Sequence, residues 1–288
     1  MMRSMFAAIS GLKAHQVMLD VTAADIANVN TLGYKASRMT FRDSLAQTQR
    51  GGAAAGVGQG GTNAAQVGLG SQIGSIDTNM VGGALQTTGN PLDVAINGEG
   101  WLRVGPASGG TPAAPGVPTT ISYTRAGNLT TNDNGFITTA DGNYVIGKNF
   151  AAGPPAGPGP TDIVIQVPTG STNLSIGQDG SVSYQPAGGG ARVTAGYLSL
   201  AKFANQAALE RAGQNTWTAG PNAGAPQVGT PGQGGVYGIT AAGAVEMSNV
   251  DLAGQFTNMI TAQRGFQANS RVISTADQML QDLVSLVR

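Results

Sequence analysis

An α+β fold follows from two observations on this 288-residue chain. Apolar residues recur every seven positions in both terminal stretches, and short alternating runs broken by Asn-Gly and Asp-Gly pairs fill the middle. The first pattern marks amphipathic helices with a coiled-coil-like period, the second antiparallel strands joined by tight turns. The expected architecture is paired N- and C-terminal coiled-coil-like helices, an extended arm and a central antiparallel β domain. The change of periodicity sets the expected borders: 1–30 and 250–288 for the helical part, 31–66 for the arm and connector, 67–249 for the β domain.

The C-terminal helix is the stronger of the two. Leu252, Met259, Phe266, Ile273, Leu280 and Val287 keep a strict seven-residue interval, and Phe256 and Val284 widen the stripe on one side. Ala262, Ala276 and Leu283 widen it on the other, with Gln263, Arg264, Gln267 and Arg271 among the polar residues between. At roughly 1.5 Å per residue such a helix is about 54 Å long. Ser248 and Asp251 form an S-x-x-D pattern that reads as a capping box before it, and Arg288 suits the negative pole at its end.

The N-terminal helix is expected from Ser4, a candidate N-cap, to Asn28. Met5, Leu12, Leu19 and Ile26 repeat at seven residues, with Ile9 between them. Asn30-Thr31-Leu32-Gly33 stops it, and residues 34–41 read as an extended arm. Residues 51–61, rich in glycine and alanine, read as a flexible connector. In the β domain, Asp93–Ile96 and Trp101–Val104 flank Asn97-Gly98-Glu99-Gly100 as a hairpin; Asn134-Gly135, Asp141-Gly142 and Asp179-Gly180 mark further turns. Residues 105–118 and 151–160 read as surface loops.

Composition excludes several functions. Charged residues make up 10% of the chain, with 15 basic and 15 acidic, so no basic face for nucleic acid is expected. No apolar run reaches the roughly 18 residues of a membrane span, and the absence of cysteine excludes a disulfide framework and thiolate metal sites. Lys13, His15 and Asp20 interrupt the apolar start too early for a signal peptide. The sole histidine, His15, sits one position off the helix stripe and reads as a flank residue rather than a base or ligand, so no Ser-His-Asp arrangement stands out. The run Gly56-Val57-Gly58-Gln59-Gly60-Gly61 fits G-x-G-x-x-G but follows no strand and opens no helix, so it is not a dinucleotide site. No catalytic residue, cofactor or metal is expected.

Three stretches carry more than pattern. Ile26-Ala27-Asn28-Val29-Asn30-Thr31-Leu32-Gly33-Tyr34-Lys35 stands near the start, and Thr88–Trp101, containing Leu92-Asp93-Val94-Ala95-Ile96-Asn97-Gly98, in the middle. Near the end, Met247-Ser248-Asn249-Val250-Asp251-Leu252 is followed by Gln263-Arg264-Gly265-Phe266-Gln267-Ala268-Asn269-Ser270. In this order they resemble the signatures of the bacterial flagellar rod and hook family over nearly the whole chain. The residues that match the family motif are Asn28, Asn30, Thr31, Gly33, Tyr34, Asn249, Asp251, Gln263, Arg264 and Asn269; Ala24-Asp25 departs from the asparagines usual there. Within the family the C-terminal runs resemble the hook, a flexible joint carrying motor torque to the filament, with the distal rod as the second reading. The resemblance implies a helical tube of many copies. Its assembly interface is expected at Met5, Ile9, Leu12, Leu19, Ile26, Leu252, Phe256, Met259, Phe266, Ile273, Leu280, Val284 and Val287. It further implies export through the type III apparatus without a cleaved signal peptide, an extracellular place in the flagellum, and rod, hook-cap and hook–filament junction proteins as partners.

Overall fold

The computed structural model describes residues 2–56, 58, 60–112, 114–149 and 161–286. The expected loop at 151–160 and the terminal Val287 and Arg288 lie outside them. The chain forms two compact units: Met1–Ala27 with Ser37–Asn79 and Asp251–Arg288, and Asn28–Ala36 with Met80–Val250. This partition differs from the one read off periodicity, because residues 67–79 pair with the arm rather than with the β domain.

In the helical unit, α1 (Met2–Ala27) and α2 (Leu252–Leu286) pack against each other. Gly11 lies against Asn269, His15 against Gly265, and Asp25 binds Gln255. One number rises as the other falls, so the helices are antiparallel. Ala and Met in α1, and Ala, Leu and Gln in α2, form helix readily. Ser4 lies inside α1 and is not its cap. At the start of α2 the cap is Asp251, whose carboxylate accepts from the Ala253 amide at 3.1 Å; Ser248 instead accepts from Val250 at 3.4 Å, outside the helix.

The arm is β1 (Ser37–Asp43), paired antiparallel with β4 (Ser71–Thr78) from Ser37↔Thr78 to Asp43↔Ser71. Helix α1 packs on this ribbon. Between them β2 (Ala46–Arg50) and β3 (Ala65–Gly68) pair, and Ala53↔Thr62 continues the ladder. Within the glycine-rich stretch Ala53 thus belongs to the ladder of this hairpin, where small residues leave the backbone free to pair without packed side chains. Both strands are exposed along their whole length.

The second unit is an antiparallel β domain, as expected. Its large sheet runs through Thr172–Ile176, Ser181–Gln185, Val193–Leu198, Tyr144–Lys148, Trp101–Gly105, Ser122–Thr124, Thr216–Ala219 and Leu209–Gly213. The hairpins at Asn134-Gly135, Asp141-Gly142 and Asp179-Gly180 form with the expected neighbours. The hairpin across Asn97–Gly100 does not. Val94–Asn97 pairs with Ile239–Ala242, while Trp101–Gly105 joins the large sheet. Gly98 and Gly100, at φ 116° and 135°, splay the two strands apart instead of returning one onto the other. The core holds two apolar clusters, one around Leu102, Ile137, Ile165, Val182 and Leu198, the other around Trp101, Tyr123, Phe203 and Trp217. Rings pair edge-on in the second, Trp101 with Trp217 at 5.6 Å and Tyr123 with Phe203 at 4.7 Å.

Candidate functional site

Two places gather the motif residues: the seam between the helices and a buried ionic cluster in the β unit. The seam is lined by small residues. On α1 the buried positions are Ala8, Gly11, Ala14, Thr22 and Asp25; on α2 they are Ala262 and Ala276. Small residues let the two backbones approach closely. A Cβ on Gly265 would lie 2.5 Å from the His15 ring, and one on Gly11 would lie 2.8 Å from the Asn269 amide nitrogen. Each glycine is therefore the notch for a polar side chain of the opposite helix. The His15 ring also meets Phe41 of β1, with centroids 5.2 Å apart.

Around that seam the expected stripes divide. Met259, Phe266, Ile273 and Leu280 are half-buried, on the same face of α2 as Ala262, Asn269 and Ala276. Met5, Ile9, Leu12, Leu19 and Ile26 are half-buried flanks of a seam that runs through other positions of α1. Leu252, Phe256 and Val284 are exposed, at 40, 51 and 66%. Gln263 and Arg264 are exposed as well.

Asp25, at the departure from the family pattern, is fully buried. Both its oxygens accept from the Ser37 amide at 3.1 Å, and one also accepts from the Gln255 amide at 3.0 Å. It ties α1, β1 and α2 together within the helical unit. Sequence reading noted the position but not this role.

The first motif segment is built into the β unit. The Thr31 amide donates to the Asn28 carbonyl and its hydroxyl to the Asn28 side chain, forming the turn. Gly33 then takes φ 66°, where a Cβ would sit 2.7 Å from the backbone of Arg125 and Ala126, and its amide donates to the Glu246 carbonyl at 2.8 Å. Asn249 binds the same segment: its side-chain oxygen accepts from the Ala36 amide at 2.7 Å, and its amide nitrogen donates to the Val81 carbonyl at 2.9 Å. Tyr34 lies under the Arg211 guanidinium, 4.6 Å from the ring centre, and Arg211 donates to its hydroxyl at 3.1 Å. Asn30 is exposed.

At the centre, the Lys35 ammonium donates to Glu246 Oε1 at 2.5 Å, and Arg125 Nη1 donates to Glu246 Oε2 at 3.1 Å. The three side chains are 0, 1 and 3% exposed, for Lys35, Glu246 and Arg125. The Val81 carbonyl accepts from Lys35, those of Ile96 and Gly98 accept from Arg125, and the Gly83 amide donates to Glu246. Burial pushes Lys35 and Arg125 below their ordinary values, against the opposing pull of Glu246. Burial also works to raise Glu246, but Arg125 and Lys35 outweigh it and hold the carboxyl below its usual range. Neither Lys35 nor Glu246 was singled out from the sequence as a site residue: two charges 211 positions apart carry no periodic signal.

A cleft of about 230 Å³ lies beside this cluster, lined by Asn28, Gly33, Tyr34, Arg211, Gly213, Gln214, Asn215, Thr216 and Trp217. Its lining holds no carboxylate, so the two-carboxylate arrangement of a glycosidase is not offered there.

Comparison with known families matches three stretches. Residues 5–35 match the "Flagella basal body rod protein" family, residues 95–184 the "Flagellar hook protein FlgE/F/G D1 domain", and residues 241–286 the "Flagellar basal body rod FlgEFG protein C-terminal". The chain is 44% identical, over all of both chains, to the protein named flagellar basal-body rod protein FlgG of Bacillus subtilis. It is 36% identical to the FlgG of Agrobacterium fabrum, over 96% of this chain and 97% of that one. To the flagellar hook protein FlgE of Borreliella burgdorferi it is 27% identical, over 99% of this chain and all of that one, in an alignment of 441 positions.

Proposed function

The chain belongs to the bacterial flagellar rod and hook family, a family of structural proteins, and we propose that its place there is the distal rod, a straight shaft of the basal body. The observation that carries this reading is co-linearity. The match to a basal-body rod protein runs at 44% identity over 289 positions and covers all of both chains, whereas the match to a hook protein needs 441 positions to align this 288-residue chain. That hook relative therefore carries a large amount of chain with no counterpart here. The hook reading, placed first from the C-terminal runs, gives way to the rod.

On this reading the protein binds and bears load rather than catalyses. Copies associate through apolar side chains that the folded subunit leaves uncovered: Leu252, Phe256 and Val284 on α2, at 40–66% exposure, flanked by the half-buried stripe residues of both helices. Burying such surface in a neighbour contributes about 25 cal/mol per Å². The partners are further copies of the chain and adjoining rod and hook proteins. Delivery is by the type III export apparatus, and the location is the bacterial flagellum.

Labelling the chain with an epitope tag in purified hook–basal bodies tests the assignment. Label on the rod segment below the hook is the expected result; label along the hook overturns it.

A further inference from the structure

We propose that Glu246 is the closing ion of a buried clasp, the group without which the β unit does not close around Lys35 and Arg125. The inference holds for a rod or a hook subunit alike.

Three distant segments supply the charges. Lys35 follows the turn after α1, Arg125 follows the strand Ser122–Thr124, and Glu246 ends the strand Ala244–Glu246. Lys35 and Arg125 lie 211 and 121 positions from Glu246. All three are buried, so two cations share one carboxylate in a place that water does not screen. Lys35 Nζ and the Arg125 Nη atoms also donate to the carbonyls of Val81, Ile96 and Gly98, which solvate but do not neutralise them, and the buried Arg125 Nε has no partner among the described residues. Glu99 is the other carboxylate acting on Arg125, but it is 58% exposed and paired with Lys202 at 2.6 Å. Among the described residues Glu246 alone reaches both cations, and it also accepts from the Gly83 amide at 2.9 Å. Removing one partner of a buried ion pair leaves an uncompensated charge, which is far more costly than losing an exposed pair.

The order of the segments gives this a consequence. In any chain delivered from its N-terminus, Lys35 and Arg125 arrive long before Glu246. Closing the unit early would bury two cations with no anion. The clasp therefore withholds the closed β unit until its last strand is present, and then fastens the first motif segment to the last through one side chain.

The test uses the full-length chain and urea denaturation followed by tryptophan emission. Both tryptophans, Trp101 and Trp217, belong to this unit, and the Arg125 guanidinium lies 5.4 Å from the Trp101 ring centre. Glu246→Gln is expected to lower the folded-to-unfolded ratio about a hundredfold or more. It also removes the acid-side fall of the midpoint, which arises because a carboxyl held below its usual range loses its stabilising effect as pH drops through that value. Lys35→Met added to Glu246→Gln, which withdraws one unmatched cation, is expected to recover at least tenfold; if the single variant does not fold, recovery of cooperative unfolding in the double variant is the supporting result. A Glu246→Gln chain within about threefold of the parent, or a double variant no better than the single one, overturns the proposal.

Discussion

Gly33 shows how one backbone angle can hold a motif in place. Its φ of 66° and the 2.7 Å approach of the Arg125–Ala126 backbone exclude any Cβ. Gly33→Ala is expected to destabilise the β unit by about 2 kcal/mol or more, read from the urea midpoint of tryptophan emission. The turn cluster around Gly33 was legible in the sequence because Asn, Thr and Gly have local conformational preferences. The ionic cluster was not, since Lys35, Arg125 and Glu246 meet only through the topology of the sheets. The acid limb follows from the same cluster. Glu246 sits below the ordinary carboxylate value of 4.5, so its contribution is complete above that value and fades as pH falls through the lower folded value. The midpoint of the β unit should therefore be flat from about pH 7 to 5 and drop below about pH 4. A midpoint unchanged down to pH 3 would argue against an ionised Glu246.

Among the elements, the proposed interface assigns folding and association to different residues of the two helices. The heptad phase of α2 was legible: Met259, Phe266, Ile273 and Leu280 lie on the face that contains Ala262, Asn269 and Ala276. The seam of α1 was not, because Ala8, Gly11 and Ala14 are too small to stand out as an apolar stripe although they allow the close approach. Phe266→Asp or Ile273→Asp should therefore disturb the helix pair itself as well as assembly, since a charge is driven into a half-buried contact. Phe256→Asp, at a position 51% exposed, should leave the helical circular dichroism of the subunit intact yet block polymerisation. Normal filaments from Phe256→Asp would remove this residue from the proposed interface. Gly265→Ala, which drives a methyl group into the His15 ring, is expected to cost about 1–3 kcal/mol in thermal unfolding of the helices. His15→Ala in the same chain should return part of that loss. The hairpin of β2 and β3 is exposed on both strands. Deleting residues 51–61 should change subunit stability by no more than about 0.5 kcal/mol.

For the whole molecule, the sequence conveyed the α+β class and the helix–β–helix order, but not where the units divide. Ile73 and Ile76 stand three residues apart, so β4 shows no alternation in the sequence, and nothing local there reveals that it pairs with the arm, 28 to 41 residues earlier. The border matters for dissection. A fragment of residues 67–245 lacks both Lys35 and Glu246 and should fail to unfold cooperatively, whereas residues 28–250 retain the entire cluster and should show one cooperative transition in tryptophan emission. The rod assignment itself belongs to the assembled state. Electron microscopy of filaments grown from the purified full-length chain measures their curvature directly. The account predicts straight, rigid shafts that Phe256→Asp abolishes; smoothly curved tubes from the parent chain would contradict it and restore the hook.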